Sequence, residues 1–343
     1  MRRLSLLLVV VATLAAGCTS STQSSGERTV VLVTHDSFTV EQSVLDRFRA
    51  DTGIKVDVRK SGDAGALTTQ LVLTKAAPIG DVAFGVDNTF ASRALSEGVF
   101  AEYRPADADK GPQKFAVDGL NRLTAVDVGD VCVNVDLAAL AGRELATPTS
   151  FEDLADPRYK DLLVIEDPST SSPGLAFLMA TVAHYGTKDW PNYWTRLKDN
   201  GVKVVAGWEE AYTQEFSGSS GKGPRPLVVS YASSPSAEIG TDGKPKTAAV
   251  LDTCFRQVEY AGVLNGAKNQ DDARKVVDFL ISETFQKTVA ESMYVYPVRD
   301  GVALPEAWQK ASPRPETSAS LPPEDIQANR ERWIEQWRTA VRG

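Results

Sequence analysis

The chain has 343 residues, 42% of them hydrophobic and 24% charged, with 37 Lys and Arg against 45 Asp and Glu. A formal charge of −8 argues against nucleic acid as a partner, because binding to phosphates is driven by basic surface. Two histidines and three cysteines are too few, and wrongly spaced, for a metal centre.

Arg2 and Arg3 open the chain, and residues 4–16 are an unbroken run of apolar and small residues. Such a run is too short to cross a bilayer core, which needs about 20 residues in a helix. It reads as a secretory signal over 1–17. Its end, Leu14-Ala15-Ala16-Gly17-Cys18, resembles a lipobox, with Ala15 departing from the usual leucine. Cys18 is therefore the expected lipidation site, anchoring an exported protein to the cell membrane on its periplasmic or extracellular side. The alternative is a plain signal followed by a chance cysteine. Residues 18–28 are rich in Ser, Thr and Gly and lack apolar periodicity, as a flexible tether should. With Cys18 lipidated, Cys132 and Cys254 remain in an oxidising compartment, both in strand-like text. A disulfide is expected, the alternative being two separate buried thiols.

Residues 29–34 read as a buried strand, and Val40, Val44, Leu45 and Phe48 then recur at helical spacing. Strands are expected at 54–58 and 81–85, and helices at 67–75 and 88–97. Strand–helix alternation of this kind indicates a parallel sheet wrapped by helices. A second series begins near Val131, with strands at 162–165 and 226–229. Its helix from Gly174 sets Leu175, Leu178, Met179 and Val182 on one face. A last helix over 323–341 does the same with Ile326, Trp333, Ile334 and Trp337. The length exceeds one ordinary core, so two α/β lobes are expected.

Signals for an enzyme are poor. His35-Asp36-Ser37 holds the letters of a catalytic triad, but neighbours on an extended chain point to opposite faces. Gly218-Ser219-Ser220-Gly221 lacks the strand-to-helix setting of a nucleophile elbow. Signals for binding are better. Ser169-Thr170-Ser171-Ser172-Pro173-Gly174 lies between a strand and a long helix. Its hydroxyls and proline suit a helix start, whose free N–H groups can also hold a ligand oxygen. Read alone, the segment is an ordinary cap. Trp208, opening another helix, is by itself a core residue. Tyr231 and Asp87-Asn88 stand at the carboxyl edges of strands, where α/β sheets bind ligands.

Taken together, these segments resemble the bacterial thiamine-binding periplasmic protein family, a branch of the type II ABC solute-binding proteins. The resemblance covers nearly all of residues 29–342. It is carried by Thr34-His35-Asp36-Ser37-Phe38, Phe84-Gly85-Val86-Asp87-Asn88 and residues 167–175. It continues with Gly207-Trp208-Glu209-Glu210-Ala211-Tyr212, Ser230-Tyr231-Ala232-Ser233-Ser234-Pro235 and Tyr294-Val295-Tyr296-Pro297-Val298. It implies a two-lobed periplasmic-binding-protein-like α/β fold, each lobe a mostly parallel sheet flanked by helices. Lobe 1 is expected over 29–128 and 259–297, and lobe 2 over 129–258 and 298–343, with crossovers near Gly129 and Val258–Tyr260 and a return past Pro297.

The implied function is capture of thiamine, or a phosphate ester of it, by a monomer that needs no cofactor and delivers to an ABC permease with its ATPase. Thiamine offers a flat aminopyrimidine and a permanently cationic thiazolium, and aromatic faces attract such a cation. By family match Trp208, Tyr231 and Tyr294 are the aromatic candidates and Asp63 the carboxylate, with His35, Asp36 and Asp87 beside them. Ser171 and Ser172 would hold the hydroxyethyl or phosphate end. The chain departs from the family at His35, where a tyrosine is usual, at Tyr294 in place of tryptophan, and at Ala237 in place of an aromatic wall. With an ordinary histidine pKa of about 6.5, thiamine is expected to bind more tightly above about pH 7 than near pH 5. Relatives of this architecture bind ferric iron, polyamines or phosphonates. The chain lacks the adjacent tyrosines typical of the iron binders, and a polyamine or another small solute stands as the alternative ligand. A secreted hydrolase or a purely structural surface protein is the reading from another class.

Overall fold

The computed structural model describes residues 27–219, 222–312 and 314–343. The signal segment, Cys18, nearly all of the tether, and Ser220 and Gly221 lie outside the described residues.

Among the described residues, nine strands form one continuous sheet. They are β1 (Arg28–Thr34), β2 (Ile54–Lys60), β3 (Val82–Asp87), β4 (Thr124–Asp136), β5 (Leu163–Glu166), β6 (Lys203–Val205), β7 (Leu227–Tyr231), β8 (Thr247–Val263) and β9 (Tyr296–Pro297). The order is β2-β1-β3-β8-β4-β7-β5-β6, with β9 beside β4. Pairing is parallel within β2-β1-β3 and within β7-β5-β6. Antiparallel β8 and β4 join the two sets. One end of β8, Glu259–Val263, pairs with β3, while one end of β4, Val131–Val135, pairs with β7. The two long strands thus belong to both halves of a type II, two-lobed fold, and every residue of β4 is buried.

Several elements follow from local sequence. Asp63 precedes the Ala64–Leu73 helix and accepts a bond from the Ala64 N–H. The helix starting at Ser172 carries Pro173 in its first turn, and it buries Leu175, Leu178, Met179 and Val182 as the periodicity implies. Gly186, at φ 73°, interrupts that helix with a left-handed residue, a conformation that costs glycine nothing. The last helix spans Pro323–Arg342 and buries Ile326, Trp333, Ile334 and Trp337. Trp337 meets Trp194 edge to face at 5.8 Å. This helix touches both halves: Arg330 lies over Phe90 at 5.4 Å, and Arg342 pairs with Asp167 at 2.5 Å. Cys132 and Cys254 are bonded, tying β4 to β8 where the ladder shifts register.

Candidate functional site

The parallel strands β1, β3 and β5 point their carboxyl ends at the seam between the two halves, and β7 ends there as well. The residues that follow them meet across it. Gly65 and Ala66, at the start of one helix, donate to the Thr170 carbonyl at 3.0 and 3.2 Å. A side chain at Gly65 would strike Ser169 O at 2.8 Å and the Phe90 ring at 2.7 Å, so this close approach requires glycine. The seam holds a small cavity of about 40 Å3.

One wall is aromatic. Trp208 stacks on Tyr212 with centroids 4.9 Å apart and planes 15° from parallel, and Tyr231 lies 6.3 Å from Trp208. The spacing of four residues between Trp208 and Tyr212 is one helical turn, which puts both rings on the same side. Trp208 Nε1 donates to Ser230 Oγ at 2.9 Å, which fixes the indole. The Tyr231 ring rests on bare backbone at Gly129, where an added Cβ would lie 2.7 Å from it. Tyr294 ends the Val289–Met293 helix in the left-handed conformation, 41% exposed and stacked on Trp308.

The other wall is acidic. Asp63 is half-buried, and its two oxygens accept from the N–H groups of Ala64 at 2.6 Å, Trp208 at 3.0 Å and Ser172 at 3.4 Å. The last two donors come from the opposite half. Burial raises the Asp63 pKa, and these donors oppose that rise. Asp87 is fully buried and accepts from Thr89 and Phe90 of its own turn and from the Ser172 hydroxyl across the seam. Burial pushes its pKa up to about 6. Glu259, on β8, faces the same cavity. It stands directly opposite Asp127 of β4 in the ladder, and burial drives both carboxyls above their ordinary range.

His35 sits between the walls. Its Nδ1 accepts from Ser37 N–H at 3.2 Å, so Nε2 carries the hydrogen and points at Glu259 Oε1, 3.5 Å away. Burial, with Lys60 nearby, lowers its pKa to about 4. The expectation of a charged His35 near pH 5 is thereby corrected, since that reading assumed a solvated imidazole.

Of the sequence-derived candidates, His35, Asp63, Ser172, Trp208, Tyr231 and Tyr294 line this cavity. Asp36 faces the adjoining outer opening and accepts from Gly62 N–H at 2.8 Å. Asp87 and Ser171 lie behind the wall, fully buried. Ala237 is exposed on a short turn, away from the lining. The sequence reading missed Glu259 and Ser234 as lining groups. The available signal for Glu259 was a carboxylate inside an otherwise buried strand at the crossover.

A family model described as bacterial extracellular solute-binding protein matches residues 77–319. The thiamine-binding periplasmic protein of Escherichia coli K12 is 30% identical over 321 residues, covering 91% of this chain and 93% of that one. A solved periplasmic thiamin binding protein superposes with a TM-score of 0.80 at 29% identity, covering 91% of this chain and 96% of that chain. Iron-bound HitA from Pseudomonas aeruginosa shares the fold, with a TM-score of 0.69 at 21% identity over 91% of this chain and 99% of that one. With this architecture, a cavity at the seam and a match over most of its length, the chain belongs to the bacterial extracellular solute-binding protein family.

Proposed function

We propose that the chain captures thiamine or a thiamine phosphate between its two lobes and hands it to an ABC permease, held at the membrane by a lipid on Cys18. The observation that carries this reading is one cavity lined by Trp208, itself backed by Tyr212, by Tyr231, and by carboxyls at Asp63 and Glu259. Flat aromatic faces suit the aminopyrimidine, and aromatic and carboxyl groups together suit a cation. The likeness to thiamine-binding relatives adds support. Ser172, at the start of its helix, is the group for the hydroxyethyl or phosphate end, where free N–H groups favour an oxygen or anion.

Lobe 1 is proposed as 29–128 with 259–297, and lobe 2 as 129–258 with 298–343. They hinge where β4 and β8 pass from one half to the other. The bonds from Trp208 and Ser172 to Asp63 join groups on opposite lobes, so they belong to a closed state and would break on opening.

Isothermal titration of ligand-free protein with thiamine, thiamine monophosphate, spermidine and ferric citrate tests the reading. Binding of thiamine or its monophosphate in preference to the other two is expected. Binding of spermidine or iron alone would leave the solute-binding role and remove the vitamin.

A further inference from the structure

Four carboxyl groups, Asp63, Asp87, Asp127 and Glu259, gather at or just behind the cavity. Among the described residues none of them forms an ion pair with a lysine or arginine. Their situations differ. Asp63 and Asp87 are saturated by N–H and O–H donors. Asp127 is fully buried, and among the described residues neither of its oxygens meets a donor other than the facing Glu259 carboxyl. What faces it is Glu259, its partner across the β4–β8 ladder. Residues opposite one another in an antiparallel pair project from the same face, where like charges repel. Two carboxyls so placed and removed from water cannot both ionise; one or both keeps a proton. Glu259 is 7% exposed, and that exposure opens into the cavity.

We propose that Asp127 and Glu259 act as one proton-exchanging receptor for a cation: the pair holds a proton while the cleft is empty and yields it to solvent when a positively charged ligand takes its place. The inference rests on the ligand being a cation, as in the function proposed above. The proton leaves through the cleft mouth, and its charge is replaced by that of the ligand.

The surroundings favour this exchange over simple ion pairing. The other titratable groups near Glu259 are His35, from the end of β1, Asp87, from β3, Asp63, from the adjoining loop, and Tyr231, from β7. None supplies a positive charge at neutral pH: His35 is held neutral to about pH 4, and burial keeps the Tyr231 hydroxyl protonated. Next to the pair along β8, Tyr260 gives its hydroxyl to the Phe115 carbonyl and is not available to it. Burial raises both members of the pair, which moves the exchange above the ordinary carboxylate range.

Calorimetry at pH 7 in phosphate and in Tris, buffers with different ionisation enthalpies, reads the proton directly. Thiamine binding is expected to show different enthalpies in the two, with a net release on the order of one proton. Asp127→Asn should remove that buffer dependence. Glu259→Gln should weaken thiamine by about tenfold or more, while a neutral analogue with thiophene in place of thiazolium keeps its affinity within about threefold. Thiamine binding with equal enthalpies in both buffers, or unaltered by Glu259→Gln, overturns the receptor and leaves the vitamin reading standing. If wild-type protein ignores thiamine, choline and spermidine are titrated in the same buffers. A proton released by either keeps the receptor and drops the vitamin; none released by any cation overturns it.

Discussion

Strands β4 and β8 run side by side through both halves of the protein, and two places on their ladder carry opposite chemistry. At one, Cys132 is bonded to Cys254, with Ala232 and Ala249 packed around the sulfurs. At the other, five residues along each strand, Asp127 stands against Glu259 beside the cavity. Burial is equally deep at both. The first place has every group satisfied and serves to hold the strands together. The second removes two like-charged groups from water without a protein cation, an arrangement that weakens a fold unless a proton or a ligand completes it. The same ladder thus separates stability from recognition along its length.

Breaking the staple gives the largest expected effect. Cys132→Ser with Cys254→Ser reopens a loop of 122 residues' separation, a loss of about 5 kcal/mol in the chain-entropy description. Urea unfolding should show it, while thiamine affinity in the folded protein stays within about twofold. A comparable loss of affinity would mean that the staple also shapes the cavity.

Removing the aromatic wall comes next. Trp208→Ala combined with Tyr231→Ala should lower thiamine affinity on the order of 100-fold, from the loss of two cation–π faces and their burial. Unchanged affinity would show that the ligand sits elsewhere. Asp63→Ala leaves the buried N–H groups of Trp208 and Ser172 without an acceptor across the seam, a penalty of about 1–3 kcal/mol on closure. Charged and neutral ligands should both lose affinity, the charged one further because Asp63 also faces the cavity. X-ray scattering of the ligand-free variant should show a more open shape.

The pH dependence is a smaller effect, and its sign follows from the raised carboxyls. If binding displaces a proton from Asp127 and Glu259, affinity rises with pH, by at most about tenfold per unit. The rise should continue from the ordinary carboxylate range up to about pH 8, the value to which burial pushes Asp127, with Glu259 lifted in the same direction. Affinity that is flat or falling over this range would count against the exchange. The smallest effect belongs to His35: with its pKa lowered to about 4, His35→Phe should leave the shape of the profile between pH 5 and pH 8 unaltered.

Much of this was legible before the structure. Apolar periodicity located β1, β2, β3, β5 and β7, the long helix with Leu175 and Leu178, and the closing helix with Trp333 and Trp337. These elements bury one stripe or face, and that requirement writes itself into local spacing. Tyr231, at a strand end, was a candidate for a related reason, since chain direction fixes where a βα unit exposes its loops. Ser172 and Trp208 read alone as a cap and a core residue, and only the family resemblance made them ligand candidates.

Other features depend on which distant segment faces which, and local spacing is silent on that. Asp63 reads as a free carboxylate until the Trp208 and Ser172 N–H groups arrive from the other half and bond to it. Glu259 reads as an ordinary charged residue in a strand until β4 sets Asp127 against it. His35 reads as a titrating histidine until burial removes the water that would solvate its charge. The sequence alone determined these elements, but not β6, β9 or the extents of β4 and β8, and it determined the class of protein, because both are set by contacts short in chain distance and by ordered motifs. The roles of the cleft's ionisable groups were decided only by tertiary structure, because a charge takes its energy from what surrounds it in space.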